Sequence, residues 1–312
     1  MSEFELIAKL LPTLPSNQQV IQGAGDDCAL LDVGIPGRHL LFKTDAVVEG
    51  FHFTRETPPE KIGRKALARV LSDIAAMAGT PGSAVVTIGL PPGFDAERVE
   101  KIYEGIGDLA REHEVAIVGG ETTSSPERVF ISIALIGTVE KGKAICRGGA
   151  KAGDAIFISG ELGGSLQGRH LDFEPRLREA RWLADRFEIH AMIDVSDGLA
   201  GDLRHLLNAS EVGAELLSSA IPISRAAKLH ARAESSAKPP LLAALTDGED
   251  FELLFTLPRQ QAVPLRDAWT KEFPDVKLSC IGRILAEPGL HLRSKDGIRP
   301  LTAHGYTHFA KS

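Results

Sequence analysis

The chain reads as α/β with α+β character, arranged as two domains in tandem. Three observations lead there. Strand-like apolar runs alternate with amphipathic helical stretches along the whole length. A polar, Gly- and Lys-rich passage, EKGKAICRGGAKAGD (140–154), breaks that alternation near the middle. The 312 residues exceed one small core and suit two domains, each of about 100–200 residues. The boundary is placed at 142/143, giving units 1–142 and 143–312.

Residues 1–15 carry a helical apolar stripe that stops at Pro15. Strands are predicted at 39–47 (HLLFKTDAV), 83–90 (SAVVTIGL), 114–120 (EVAIVGG) and 129–139 (VFISIALIGTV). Helices fall between them at 59–78 and 95–112. The first opens with Pro58-Pro59 and closes at Gly79, the proline-first, glycine-last asymmetry of helices. Alternation in 129–139 predicts a sheet that is at least partly antiparallel. The second half restarts with a strand at 155–160, a helix at 174–188, a strand at 190–195 and a helix at 197–208. Strands at 251–257 and 278–285 follow, before a turn-rich tail.

Composition narrows the function classes. The net charge of −7, from 35 basic and 42 acidic residues, and the lack of a Lys/Arg cluster argue against nucleic acid. No apolar run reaches the roughly 18 residues of a membrane span. Three scattered cysteines, Cys28, Cys146 and Cys280, form neither a zinc spacing nor a disulfide framework, so a cytoplasmic setting is expected.

What stands out is acids at the ends of apolar runs. GAGDDCALL places Asp26 and Asp27 before one run; LLFKTD ends at Asp45 and EVAIVGGE at Glu121. AMIDVSDGL carries Asp194 and Asp197, and LLAALTDGED carries Asp247, Glu249 and Asp250. On the helix 59–78, Asp73 shares the stripe of Ile62, Ala66, Val70 and Met77, a dry face on which an unpaired carboxylate is costly. It is read either as a partner of Arg64 or Arg69 or as a metal ligand. Asp27, Asp45, Asp73, Glu121, Asp194 and Asp197 are oxygen donors with no regularly spaced Cys or His among them, which favours Mg²⁺. His304 and His308 stand four apart without a third zinc ligand. Mg²⁺ commonly bridges carboxylates and phosphates, and the pairs Gly119-Gly120, Gly148-Gly149 and Gly163-Gly164 hint at a nucleotide. Yet the chain has no GxxxxGK[ST] loop, no GxGxxG turn, no protein-kinase motif set and no nucleophile elbow.

The stretches GDDCALL, TDAVVEGFHF, LSDIAAMAG, GGETTSS, MIDVSDGL and DGEDFELLFT, in this order, resemble the thiamine-monophosphate kinases of the aminoimidazole-ribonucleotide-synthetase-like superfamily. The resemblance runs from about residue 3 to about 309. It implies an N-terminal α/β domain that binds ATP and Mg²⁺ and dimerises through its sheet, with a second α/β domain beside it. It implies transfer of the γ-phosphoryl group of ATP to thiamine monophosphate. Several Mg²⁺ ions would be held by Asp27, Thr44, Asp45, Asp73, Glu121, Asp194 and Asp197. ATP would be touched by Tyr103, Gly120, Arg147 and Ser196, and thiamine monophosphate by His52, Glu249 and Tyr306. The chain departs from the family at Glu121, where Asp or Asn is usual, and at Tyr306, where Trp is common. The stretch 165–190 also departs and is read as peripheral variation.

Plainer readings stand beside these. Ser196 could cap the helix 197–208, Asp247-Gly248 could turn a hairpin, Tyr103 could be core, and His52 a surface histidine. Another ATP-dependent member of the superfamily, or a non-catalytic Mg-nucleotide-binding regulator, is the alternative function.

Overall fold

The structure is a computed structural model that describes residues 3–303 together with 305 and 306. His304 and His308 lie outside these described residues. In the first half, α1 (Glu3–Leu10) is followed by the short strands β1 (Val20–Gln22) and β2 (Ala29–Leu31) and the long β3 (Arg38–Val48). Then come α2 (Pro59–Ala76), β4 (Thr80–Leu90), α3 (Ala96–Glu112), β5 (Ala116–Ser124) and β6 (Phe130–Glu140). The strands form one sheet in the order β1-β2-β3-β6-β4-β5. Only the β4–β5 pair is parallel, and β6 runs antiparallel to both β3 and β4 as its alternation predicts. β1 and β2 are three residues each, too short to leave a periodic signal.

Helices α2 and α3 cover one face of this sheet. They approach closely because glycines meet at the crossing. A Cβ on Gly63 would lie 1.9 Å from the Ile102 carbonyl oxygen, and one on Gly105 would lie 1.9 Å from that of Glu60. Helix α2 also touches β3 and elements of the second half, so Ile62, Leu67, Val70, Leu71 and Ile74 are all buried around it. That all-round burial is why Asp73 stands in a dry setting.

No regular element lies between Glu140 and Ala155. The second half then contains β7 (Ala155–Ser159), α4 (Leu177–Arg186), β8 (Ala191–Asp194), α5 (Leu199–Ser210) and β9 (Gly213–Leu217). It continues with α6 (Arg225–Ala233), α7 (Pro240–Thr246), β10 (Leu253–Leu257), α8 (Ala262–Glu272), β11 (Leu278–Leu285), β12 (Gly289–Ser294) and β13 (Gly297–Pro300). Its sheet has the order β13-β12-β9-β11-β7-β10-β8, antiparallel except for β9–β12. Alternate residues of β7 face two cores: Phe157 joins the one shared with the first sheet, while Ile156 and Ile158 join the one under α5. Burial on both faces makes the central strands continuously apolar. The two halves therefore share a core through α2.

Candidate active site

Three carboxylates converge where the halves meet. Asp27 comes from the turn before β2, Asp73 from α2 and Asp194 from the end of β8. Their ligand oxygens lie within 4.8 Å of one another, and all three residues are buried. Asp27 Oδ1 accepts from Arg147 Nη2 at 2.6 Å and Nε at 3.2 Å, and Asp194 Oδ2 accepts from Ser72 Oγ at 2.6 Å. Asp73 pairs with Lys43 at 2.8 Å, rather than with Arg64 or Arg69. Arg64 instead holds Glu174, at 2.9 Å.

The local charge does not balance. Burial, ahead of the neighbouring acids, pushes the Asp73 carboxyl well above the usual range, and Lys43 offsets only part of this. Burial and then the charge of Asp27 push Asp194 up to about 6. Asp27 Oδ2 is a buried oxygen without a hydrogen-bond partner among the described residues. An oxygen-only donor set, short of positive charge and with an orphan ligand atom, fits a hard divalent cation such as Mg²⁺.

Beside this trio runs a charged row on α2. Lys65, Arg69 and Asp73 are spaced four apart and so share a face. Arg69 donates from Nε to Asp45 Oδ2 at 2.8 Å, from Nη2 to Asp45 Oδ1 at 3.3 Å, and from Nη1 to Glu249 Oε1 at 2.8 Å. Lys65, fully buried, donates to Glu249 and to the His52 carbonyl at 2.6 Å, and its Nζ lies 2.7 Å from His170 Nδ1. Burial pulls Lys65 down to about 8. For Glu249, burial alone would push the carboxyl up. The hydrogen bond from His170 and the charges of Lys65 and Arg69 outweigh it and hold the group at about 2.

Glu249 opens onto a cavity of about 90 Å³ that gathers five residues named from the sequence: His52, Ser196, Asp197, Glu249 and Tyr306. Tyr306 is tied in through its backbone N–H, which donates to the Asp197 carbonyl at 2.7 Å. Burial, then the charge of Arg69, lowers His52 to about 4 and keeps it neutral. Phe51, Arg69, Leu166 and Gly248 complete the wall.

Other residues fall elsewhere. Asp45 faces α2 but is engaged by Arg69 and stands outside the trio. Thr44, one residue earlier, points to the opposite face of the sheet, its hydroxyl 3.3 Å from that of Ser132. Glu121 is exposed on the edge strand β5, opposite Thr87, and Tyr103 lies half-exposed on α3. Gly120 permits no side chain, since its Cβ would meet the Val86 carbonyl oxygen at 1.8 Å. Ser196 is not a helix cap: Gly198 takes the cap position of α5, while Asp202 accepts from the Asp197 N–H at 3.0 Å. Asp247 turns no hairpin; it ends α7 and accepts from Lys238 at 2.8 Å.

The stretch 165–190 is not peripheral. Besides Leu166 and His170, it supplies Arg169 and Arg176, which clamp the buried Asp250 and Glu252 beside Glu249. Sequence reading missed Lys43, Lys65, Ser72 and His170, and saw Arg69 only as a possible partner of Asp73. The four-residue spacing of Lys65, Arg69 and Asp73 was the available signal for the α2 row.

Comparison with known proteins places this geometry in a family. Residues 25–139 match the AIR synthase related protein N-terminal domain, and 151–293 match the corresponding C-terminal domain. The thiamine-monophosphate kinase of Rhodopirellula baltica is 41% identical over 283 residues, 88% of this chain and 87% of that protein. The chain belongs to the thiamine-monophosphate kinase family. The thiamine-monophosphate kinase of Escherichia coli K12 is 34% identical, covering 99% of this chain and 98% of its own length. A solved thiamine-monophosphate kinase relative, AaThiL complexed with AMPPCP and TMP, superposes with a TM-score of 0.83 at 31% identity, covering 99% of this chain and 97% of that one. E. coli HypE, at 21% identity and a TM-score of 0.73, shares the fold. Membership in the thiamine-monophosphate kinase family makes this chain an enzyme, and the trio and cavity are its candidate reaction centre.

Proposed function

We propose that the enzyme transfers the γ-phosphoryl group of ATP in line onto thiamine monophosphate, giving thiamine diphosphate, the last step in making that cofactor. The observation that carries this reading is the buried trio with its orphan Asp27 oxygen, set beside a cavity walled by Glu249 and Tyr306. A phosphate monoester has a second pKa near ~6, so the acceptor oxygen is already ionised at neutral pH. No general base is needed; the obstacle is repulsion between two anions. Bound Mg²⁺ neutralises phosphate charge and aligns donor with acceptor.

The chain's own groups prepare that meeting. Asp27, Asp73 and Asp194 would hold the cation. Arg147 fixes Asp27, Ser72 fixes Asp194, and Lys43 steadies Asp73. Gly120, Tyr103, Arg147 and Ser196 are assigned to ATP. His52, Glu249 and Tyr306 are assigned to the acceptor, with Asp45 and Asp197 at the seam between them. Residues 1–142 would bind ATP and Mg²⁺ and form the dimer contact, with 143–312 closing the cleft, and the enzyme would work in the cytoplasm.

A homodimer is supported by the outer face of the first sheet. Phe42, Ile136, Val85 and Val118 are 46%, 41%, 40% and 64% exposed and form an apolar row across four strands. Thr44 and Glu121 stand on this face, so any part they play in holding a cation would be played at the dimer contact.

The test is to incubate the protein with Mg-ATP and thiamine monophosphate and read thiamine diphosphate by mass, with thiamine as the control acceptor. Product from the monophosphate alone supports the reaction; ATP consumption that ignores the acceptor overturns it.

A further inference from the structure

Resting on that reading, we propose that Arg69 binds the phosphate of the acceptor and thereby selects a phosphorylated thiamine over free thiamine. The side chain lines the cavity, and among the described lining residues it is the single Lys or Arg. No other group of the wall supplies positive charge: His52 is held neutral, Asp197 and Glu249 are acids, and Ser196 and Tyr306 offer only hydroxyls. An anion entering this cavity therefore finds its attraction at Arg69.

Its position suits the task. The guanidinium joins Asp45, on the side of the metal trio, to Glu249 in the cavity. A phosphate resting on it would stand at the junction where the transferred group must arrive. Those two acids use three of the five N–H donors of a guanidinium, which leaves two for a ligand. Phe251 supports the group from below, its ring centroid 5.6 Å from Cζ. Two carboxylates and a ring thus fix the planar fork before any ligand binds, which lowers the entropy cost of each new bond.

The assignment predicts discrimination by charge. Calorimetry with thiamine monophosphate and with thiamine, in Mg²⁺ and a non-hydrolysable ATP analogue, reads binding without turnover. Arg69→Ala should weaken thiamine monophosphate by about 10- to 100-fold, the range of charge-assisted hydrogen bonds. Thiamine affinity should fall by clearly less than that of the monophosphate, since thiamine offers no phosphate to the fork. Arg69→Lys keeps the charge without the fork. It should fall between the two and serves as the deciding variant if Arg69→Ala does not fold, as judged by thermal unfolding. Equal weakening of thiamine and its monophosphate would mean that Arg69 only shapes the wall, and would overturn the assignment. Unchanged discrimination in both variants would overturn it as well. If the wild-type protein binds no thiamine monophosphate, the acceptor reading falls, and the assignment with it; that outcome is visible before any variant is made.

Discussion

Glu249 illustrates how much one side chain can concentrate. It sits in the left-handed region at φ 65°, a conformation seldom adopted outside glycine, and its carboxylate meets Lys65, Arg69 and His170. Folding holds its pKa at about 2, below the ordinary 4.5. A carboxyl depressed by folding stabilises the native state above its unfolded pKa, and that contribution fades as pH falls from 4.5 toward 2. Glu249→Gln should therefore be less stable than the wild type at pH 7, by on the order of 2 kcal/mol after allowance for relaxation of the freed cations. The gap should narrow as pH falls from 4.5 toward 2, as the wild-type carboxylate takes up its proton. Urea unfolding at pH 7, 5 and 3 checks this, and a gap that widens in acid would contradict it.

At the scale of elements, α2 organises the molecule. One face meets α3 at glycines, another meets the sheet, and a third presents Lys65, Arg69 and Asp73 to the cleft. Gly105→Ala should separate α2 from α3 and cost about 1–3 kcal/mol, the usual range for an overpacked core. Because Asp73 and Arg69 ride on α2, activity in this variant should fall further than its loss of folded protein explains. Differential scanning calorimetry alongside an assay normalised to folded fraction separates the two effects. An unchanged Tm would show that the crossing is not tight.

The same element shows what the sequence discloses. The stripe of Ile62, Ala66, Val70 and Met77 reveals the helix and its buried Asp73 through local spacing. The partner of Asp73 stays hidden, because Lys43 reaches it from a strand 30 positions away in the chain. Asp27, Asp45, Asp194 and Asp197 are legible as acids at the ends of apolar runs, while packing alone sends Asp27 and Asp194 to the trio, Asp197 to the cavity and Asp45 to Arg69. The hairpin β12–β13 and the helices α6 and α8 escape notice because their apolar positions are few or broken, and α7 because seven residues are too short to show a helical period. The stretch 165–190 looks dispensable since its motif content is poor. Its value lies in Arg169, His170 and Arg176, whose partners are about 75–85 residues further along.

For the whole molecule, the apolar row on the outer face of the first sheet is the surface to which the proposed dimer contact is assigned. Pairing two copies through this face would bury Phe42, Val85, Val118 and Ile136 and bring Thr44 and Glu121 into a shared cleft. In the proposed dimer, Val118→Asp would place a charge on each copy at that contact and should shift the protein from dimer to monomer. Sedimentation velocity reads the change at micromolar concentration. An unchanged dimer would place the interface on another surface.

The shared core, the row on α2 and the cavity all converge on one claim: that three buried carboxylates from both halves form a cation seat beside the acceptor. The most direct test is anomalous diffraction at the manganese edge from crystals soaked with Mn²⁺ and ADP. The account predicts a peak bounded by the oxygens of Asp27, Asp73 and Asp194, and its loss in Asp194→Asn crystals. A peak elsewhere in the cleft, with the trio still held by Lys43, Ser72 and Arg147, would contradict it.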